Sequence, residues 1–462
     1  MPKIACPTTL STLPPEVLCA TFRFAVGGFA NFAELMALAS VSERFHTIIH
    51  NDPRLWSSLQ ISADACSLYD MNEIIEVVED TIKVDGALPL KLCVDIQANY
   101  PIGMPALTKF LLARAERWEE LTFRFAEDHS SAGFGHAREF WLNSFLTEAL
   151  GNIQQVSCRP FTNLKKLVID CNYGLLQPRS WPLSTVFPNV ESLAVTFGAT
   201  DNITQVIEWC TPSLKRMNLE VTGVILEAEP RATFLQELIC RAPQLKSLDL
   251  TFGLPMCSTR DDTGEPFAKL PPHQSLESLT INGAIGLLSY LLGNLNCPSL
   301  TSLSLTDETC TQQSNTVVLD IQRMTDRSRC IIKNLSFKGC RLESQMISDL
   351  LVGLSSLTNL RIGLEWNPNS DSDDPWFISE LAEISDTSAE PVLPSLESLD
   401  VCVQSPLGCE APPRRWLRVE DFYHLVDDCR RLSGGAYARL EKVLLRCNEG
   451  GGSPYTIYSR NA

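Results

Sequence analysis

The sequence lacks the motifs of the common catalytic sites. It contains no Gly-x-Ser-x-Gly elbow, no Gly-x-x-x-x-Gly-Lys phosphate loop and no Gly-x-Gly-x-x-Gly fingerprint. It also contains no Cys-x-x-Cys pair, which excludes the commonest zinc-ribbon spacing. We therefore expect no enzymatic activity, no metal and no cofactor.

Histidine is scarce, with six residues in the chain. His46 and His50 stand four residues apart, a helical spacing that two metal ligands can use. No third Cys or His ligand lies close to them in the sequence. We predict that both are exposed helix residues. His129 and His136 flank a loop that contains Ser and Gly. This pair is as weak an indication of a metal site as His46 and His50.

Basic residues are also few relative to acidic ones. The 38 Lys and Arg against 55 Asp and Glu give a net charge of −17, which argues against binding to nucleic acid or to an anionic membrane. The sequence has no apolar run of about 18 residues and no apolar segment at its start, so we expect no membrane helix and no secretory signal. The 17 scattered cysteines then indicate reduced thiols in a cytoplasmic or nuclear protein.

Apolar residues are abundant. Hydrophobic residues make up 44% of the 462 positions, enough for a large core. The length suits roughly three ordinary domains, or a small module followed by a long repeat array.

Three short helical patterns occupy the start of the chain. The first is expected from about Pro15 to Ala25, the second after Asn31 with a capping-box Glu34, and the third over residues 42–50. A segment of this size cannot bury all its apolar side chains by itself. Its remaining apolar surface is expected to meet a partner protein, or else to cap the open end of the array that follows.

The order of residues within this segment resembles an F-box. Leu-Pro-x-Glu-Val-Leu at residues 13–18 is followed by Leu35-x-x-Leu38, by Val-Ser-x-Arg-Phe at residues 41–45, and by Leu55-Trp56. The resemblance implies docking to the small Skp adaptor of cullin–RING ubiquitin ligases. It implies these adaptor-binding residues: Leu13, Pro14, Val17, Leu18, Leu35, Val41, Phe45 and Trp56.

The rest of the chain repeats the unit apolar-x-x-apolar-x-apolar. Ten copies begin 24 to 44 residues apart, at Leu164, Val190, Leu214, Leu245, Leu276, Leu300, Ile332, Leu357, Leu396 and Leu440. The alternation within each copy predicts a strand, and helix-like stretches such as 203–210, 234–241 and 287–295 separate several copies. Two earlier strands are expected at Leu90–Val94 and Trp118–Phe123, with a helix from Pro105 to Arg117 between them.

This pattern resembles a degenerate leucine-rich repeat. Only Asn172, Cys340 and Asn448 occupy the Asn/Cys position of the full repeat. The resemblance implies an α/β fold, in which a small three-helix F-box is followed by a curved solenoid of strand-turn-helix units. The expected domains are the F-box at 1–62, a linker with atypical first repeats at 63–150, and the solenoid at 151–462.

In such a solenoid the polar strand positions form a face that can bind a protein. The candidate substrate face comprises Lys166, Arg216, Lys246, Asp249, Glu277 and Arg361. The two halves together predict a substrate receptor, in which the F-box holds the ligase and the solenoid holds an unknown target protein. Two alternatives stay open: an adaptor-bound scaffold without ligase activity, and a repeat protein whose first helices are only a cap.

An acidic run, Asn369 to Asp374, interrupts the late repeats. It is expected to be a solvated loop. A second hypothesis is phosphorylation at Ser370 or Ser372, because acidic neighbours favour some kinases.

Overall fold

The computed structural model describes residues 13–26, 28–63, 70–82, 88–96, 104–125, 135–154, 161–171, 183–197, 203–222, 234–253, 272–283, 291–293, 295–307, 315–339, 344–365, 393–404, 442–448 and 455–461. The chain divides into two compact units. The first unit comprises residues 1–200 and 208–214, and the second comprises residues 201–207 and 215–462.

The first unit is mixed α/β. Its described α-helices are α1 (Pro15–Val26), α2 (Phe32–Ser40), α3 (Glu43–Asn51), α4 (Pro53–Trp56), α5 (Met71–Ile82), α6 (Met104–Ala113), α7 (Gly135–Gln154) and α8 (Leu183–Val186). Its described strands are β1 (Ala30–Asn31), β2 (Ser58–Ala63), β3 (Leu90–Ile96), β4 (Trp118–Phe125), β5 (Lys166–Cys171) and β6 (Ser192–Phe197). These strands pair in chain order, and every pair is parallel.

The second unit has the same alternation. Its described strands are β7 (Arg216–Val221), β8 (Ser247–Phe252), β9 (Ser278–Gly283), β10 (Ser302–Asp307), β11 (Asn334–Lys338), β12 (Asn359–Glu365), β13 (Ser398–Gln404), β14 (Lys442–Asn448) and β15 (Tyr455–Asn461). Its described α-helices include α9 (Phe234–Arg241), α10 (Asn315–Ser328) and α11 (Ser344–Val352). Strands β7 to β14 pair in chain order and in parallel, and β15 returns antiparallel to β14.

The predicted strands are confirmed. Each of the ten repeat copies forms a strand that begins at its third residue, as at Lys166 and Ser247, and the two earlier strands are β3 and β4. The predicted helix at 234–241 is α9, whereas 203–210 forms a 3-10 helix, Ile203–Trp209. The helix expected at 287–295 lies mostly outside the described residues. The mixed α/β class is therefore confirmed, while the curved solenoid stays a prediction.

The domain boundaries also stay predictions. Strand β2 crosses the expected boundary at residue 62, because it runs from Ser58 to Ala63. It pairs with β1 between the helices and with β3 after them. The helices at the start of the chain and the first strands of the first unit are thus joined by backbone hydrogen bonds.

Register keeps the apolar positions of successive strands stacked. Leu248, Leu279 and Leu303 are partners across β8, β9 and β10, and all three are buried. Burying one such side chain contributes about 1.5–3 kcal/mol. A single strand-and-helix repeat is too small to bury these side chains by itself. It obtains this burial from the neighbouring repeats and from the helices.

A recurrent backbone bond fixes where each strand begins. The amides of Lys246 and Ser247 both donate to the carbonyl of Lys215, at 2.8 and 3.1 Å. The amides of Glu277 and Ser278 donate in the same way to the carbonyl of Lys246. The next strands repeat this geometry, so the strand starts line up across the second unit.

His273 replaces a backbone acceptor in one repeat. In neighbouring repeats the amide of the first leucine donates to the carbonyl three residues earlier, as Leu245 does to Ala242 and Leu300 does to Cys297. The amide of Leu276 instead donates to Nδ1 of the buried His273, at 3.1 Å. His273 Nε2 lies 3.0 Å from the carbonyl oxygen of Ala242. The imidazole must therefore be neutral, with its proton on Nε2.

Acid should destabilise the second unit through His273. Burial lowers the pKa of His273 from its ordinary value of 6.5, and the hydrogen bond to Ala242 offsets part of that effect. A lowered folded-state pKa contributes stability that is complete above 6.5 and is lost as the pH falls below it. We expect the melting temperature of the whole chain to fall between about pH 7.5 and pH 5.5.

The variant His273→Asn supplies the control for that experiment. It should lower the melting temperature at pH 7.5, because a buried hydrogen-bond network is disturbed at a cost of about 1–3 kcal/mol. It should also weaken the dependence on pH. An equally steep acid response in His273→Asn would assign the effect to other groups.

Candidate adaptor-docking module

The helices α1 to α4 form a small module, and local capping bonds start three of them. Asn31 Oδ1 accepts the amides of Ala33 and Glu34, at 2.9 and 3.4 Å, and so caps α2. Ser42 Oγ accepts the amide of Phe45 and caps α3. Asp52 Oδ1 accepts the amide of Arg54 and caps α4. The predicted start at Asn31 is confirmed.

Two arginines hold α1 against the later helices. A guanidinium nitrogen of Arg44, on α3, donates to the backbone carbonyl of Leu13, just before α1. Arg23, near the end of α1, lies 3.5 Å from the carboxylate of Asp52. Both ends of α1 are thereby attached to residues that follow it by about 30 positions.

An aromatic core fills the module. The rings of Phe22 and Phe45 meet edge to face, with centroids 5.1 Å apart. Phe32 meets Trp56 in the same manner at 6.2 Å. All four side chains are buried. Pairs of this geometry add about 0.5–1.5 kcal/mol beyond the area that they bury.

Trp56 holds α3 to the start of β2. Its indole Nε1 donates to the carbonyl of Ile49, seven residues earlier, at 2.9 Å. Trp118 repeats this contact in the next part of the first unit, where its Nε1 donates to the carbonyl of Leu111 at 3.0 Å, again seven residues earlier. Each tryptophan therefore ties the end of a helix to the strand that follows it. Trp56 is a structural residue of the fold.

His50 packs on the same tryptophan. Its ring stacks on Trp56 with centroids 5.6 Å apart, and the centroid of the His46 ring lies 4.3 Å from that of His50. His46 is exposed as predicted, but His50 is half-buried, so the prediction of an exposed His50 is wrong. Burial and the neighbouring His46 lower the pKa of His50, and the buried Nε2 has no hydrogen-bond partner.

Among the described residues of the module, three large apolar side chains are exposed on its surface. Val17 is 44% exposed, Val41 is 65% exposed and Phe24 is 90% exposed. Val17 and Phe24 stand seven residues apart on α1, so they share one face of that helix. Phe24 was not among the predicted docking residues, although the seven-residue spacing from Val17 in the sequence would have indicated it.

The structure separates the predicted adaptor-binding residues into two groups. Leu18, Leu35, Phe45 and Trp56 are buried in the module itself. Leu13 is half-buried, and Pro14, Val17 and Val41 are exposed. The side chains of the second group are accessible to a partner, whereas those of the first group shape the module from within.

Charges on the polar face of the first unit are largely paired. Lys166, a candidate substrate-face residue, makes an ion pair with Glu120, which also lies 3.8 Å from Lys91. Four residues further along the same two strands, Arg124 lies 3.8 Å from Asp95. Burial raises the pKa of the nearby Asp170, and the charge of Arg124 offsets part of that rise.

The other candidate substrate-face residues lie in the second unit. Lys246 and Glu277, which precede β8 and β9, pair with each other at 2.8 Å. Arg216 is exposed at the start of β7. Asp249 is half-buried on β8, and burial raises the pKa of its carboxyl. Arg361 on β12 lies 3.5 Å from Asp400.

Two other kinds of site are absent from the described residues. No group of three or more His, Cys, Asp or Glu residues that could hold a metal ion is found there. No helix in that part of the chain is long and apolar enough to cross a membrane. The buried Cys93 and Cys297 form no disulfide, and burial raises the pKa of Cys93 to about 11 and that of Cys297 to about 12.

Comparison with known families identifies the module. A family model described as F-box-like matches residues 10–62, which include α1 to α4 and most of β2. The chain therefore carries an F-box-like domain, a class of domain that typically binds the Skp adaptor. No curated protein matches the chain.

The role of Trp56 can be tested by removing its hydrogen bond. Trp56→Phe keeps an aromatic ring but removes the indole donor from the carbonyl of Ile49, which then retains only the longer bond from the amide of Asp52, at 3.4 Å. We expect a cost of about 0.5–1.5 kcal/mol. Trp118→Phe should cost a similar amount. The measurement is urea unfolding of the whole chain, followed by circular dichroism.

Phe24→Leu is the matched aromatic control. Because Phe24 is exposed, this change should alter the stability by less than about 0.5 kcal/mol. Wild-type stability in Trp56→Phe would contradict the structural role of that side chain.

Proposed function

We propose that this chain is the substrate-recognition subunit of an SCF-type cullin–RING ubiquitin ligase. The proposal depends mainly on one observation, the match of residues 10–62 to an F-box-like domain. Docking to the Skp adaptor would connect the chain to a cullin. The strands that follow would hold a target protein.

The exposed apolar side chains support the docking step. Val17, Phe24 and Val41 lie on the surface of a module whose core is already filled. Removing an apolar surface from water contributes about 25 cal/mol per Å², and one buried Phe contributes about 1.5–3 kcal/mol. These residues, with Pro14 and the half-buried Leu13, are the proposed contacts with the adaptor.

The second step needs a surface that holds a target, and the polar face of the strands is the proposed one. Residues on a rigid sheet lose little conformational freedom on binding. The chain would then perform no bond chemistry itself. It would raise the effective concentration of a target lysine near a ubiquitin-loaded enzyme supplied by the complex.

The cellular setting is part of the proposal. The net charge of −17 supports protein partners over nucleic acid and anionic membranes. We propose that the chain acts in the cytoplasm, the nucleus or both, where its ligase partners act. Phosphorylation at Ser370 or Ser372 would be a further input, but both residues lie outside the described part of the chain.

Charged residues at the exposed valines should prevent adaptor binding. In Val17→Glu/Val41→Glu, two carboxylates would enter an apolar interface, where an unpaired charge is strongly unfavourable. We expect the affinity for the Skp adaptor to fall at least about a hundredfold. Co-expression with the adaptor, followed by affinity purification and size-exclusion chromatography, measures this loss.

Val352→Glu is the matched control. Val352 is also a helical valine and is 49% exposed, but it lies at the end of α11 in the second unit. This variant should bind the adaptor normally, and all variants should melt within about 2 °C of the wild type. Normal adaptor binding by Val17→Glu/Val41→Glu would contradict the proposed docking surface.

Purification of the native complex from its own cell distinguishes the remaining alternatives. Recovery of the adaptor together with a cullin supports the ligase receptor. Recovery of the adaptor alone supports a scaffold without ligase activity. Recovery of neither supports the alternative in which the first helices only cap the array.

A further inference from the structure

One carboxylate on the polar face of the second unit has a buried oxygen without a hydrogen-bond partner. Asp249 stands in the middle of β8 between the buried Leu248 and Leu250, so its side chain points to the opposite, polar face. Its Oδ1 atom is shielded from solvent and accepts no hydrogen bond. Such atoms are uncommon in native proteins, because leaving a buried polar atom unpaired is unfavourable. The fold of the free chain therefore gains no hydrogen bond from this oxygen.

Two other acids on or beside the same face have basic partners. Nε of Arg446 donates to the carboxylate of Asp400 at 3.0 Å, and Lys246 pairs with Glu277 at 2.8 Å. Within the described part of the chain, no ion pair or hydrogen bond engages the side chain of Asp249. Its charge is consequently not neutralised by a neighbouring base.

The positions around Asp249 carry no net charge. Its partners on the flanking strands are Asn218 on β7 and Thr280 on β9, and both are neutral. Two residues before and after this row, the same three strands carry Arg216, Glu220, Ser247, Thr251, Ser278 and Asn282. The one base and the one acid of that set lie on β7, on opposite sides of Asn218. They therefore leave Asp249 as the unbalanced charge of this region.

The titration of Asp249 agrees with these surroundings. Burial raises the pKa of its carboxyl, and no nearby charge offsets that rise. At Asp170 in the first unit, by contrast, the charge of Arg124 offsets part of a rise with the same cause. A cation beside Asp249 would meet an uncompensated carboxylate in a place where water screens the attraction less than at an open surface.

The geometry of the carboxylate suits an ammonium group better than a guanidinium. Because Oδ1 is shielded and the side chain as a whole is half-buried, a ligand reaches the carboxylate through its other oxygen, Oδ2. The two parallel hydrogen bonds that arginine makes with a carboxylate require both oxygens. An ammonium needs only one, and it can direct its remaining donors to the side-chain oxygens of Asn218 and Thr280.

The short side chains around Asp249 leave room for a long side chain of a ligand. Apart from Asp249, the polar-face positions of β8, β9 and β10 are occupied by small hydroxyl and amide residues: Ser247, Thr251, Ser278, Thr280, Asn282, Ser302, Ser304 and Thr306. The hydrocarbon stem of a lysine can lie along such a surface while its charged end reaches the carboxylate.

We propose that Asp249 binds the ammonium group of a lysine side chain of the target protein. The inference depends on the proposed function, in which the polar face of the strands holds the target. Asp249 supplies the opposite charge, and Asn218 and Thr280 accept further hydrogen bonds from the ammonium. The carboxylate that lacks a basic partner in the free chain obtains one when the target binds.

Binding of a model peptide to the full chain in complex with the adaptor tests the proposal. The probe is a fluorescent peptide of about nine residues in which Lys alternates with Ser, a repeat that places the ammonium groups on one side of an extended chain. Its neutral counterpart carries acetyl-lysine in place of lysine. We expect the basic peptide to bind at least about tenfold more tightly, and this preference to weaken as salt rises from about 0.05 to 0.5 M.

Asp249→Asn and Glu277→Gln form the matched pair of variants. Each removes one negative charge from the same part of the second unit, so the general attraction between the acidic chain and a basic peptide changes equally. We expect Asp249→Asn to weaken the binding of the basic peptide about tenfold and Glu277→Gln to weaken it less than twofold. Equal effects of the two changes, or equal binding of the two peptides, would overturn the proposal.

The melting temperature of Asp249→Asn distinguishes a binding role from a structural one. In the free chain at pH 7.5 this variant should melt at the wild-type temperature or about 1–3 °C above it, because a half-buried charge without a partner is removed. A residue that stabilises the sheet would give the opposite result. A melting temperature clearly below that of the wild type would therefore count against the proposal.

Adaptor binding by the same samples separates this inference from the proposed function. Asp249→Asn should co-purify with the adaptor as well as the wild type does. If the adaptor binds and the basic peptide does not, the inference about the target fails and the proposed function stands. If the wild-type chain does not bind the adaptor, the proposed function fails first.

Discussion

Burial by neighbours is the constraint on which this structure depends. A six-residue strand such as β8 or β9 cannot hide its own apolar side chains, so every strand requires the next one in register. The paired amides at each strand start, such as those of Lys246 and Ser247 on the carbonyl of Lys215, fix that register. Because the apolar positions are committed to stacking, the polar positions are free to vary. The charge pattern of the polar face therefore changes along the chain while its backbone does not.

Features that depend on local chemistry were predictable from the sequence. Asn31 with Glu34 indicated the start of α2, and the structure shows that cap. The alternation of apolar and polar residues indicated all ten repeat strands because a strand has a period of two. The residue order between Leu13 and Trp56 likewise indicated the F-box-like domain that the family comparison supports.

Features that depend on distant contacts were not predictable. Trp56 is buried where its indole reaches the carbonyl of Ile49, near the end of α3. His50 is half-buried because its ring packs on that tryptophan. Lys166 looked like a free binding residue, yet its partner, Glu120, is 46 residues away in the sequence. Arg361 looked similar but retains much of its exposure. The alternation of apolar and polar residues predicted the strands. Only the pairing register of those strands shows which charged side chains lie next to each other.

The pairing of β1 with β2 has a mechanical consequence for the docking module. Ala30 is the partner of Leu59, and Ser58 Oγ donates to the carbonyl of Gly28 at 2.5 Å. No swivelling tether therefore separates the module from the strands that follow it in the first unit. One residue inserted between Trp56 and β2 would turn Leu59 towards water or pull the module out of place, since a strand reverses its faces with each residue. The short connector therefore fixes the orientation of the F-box-like module relative to those strands.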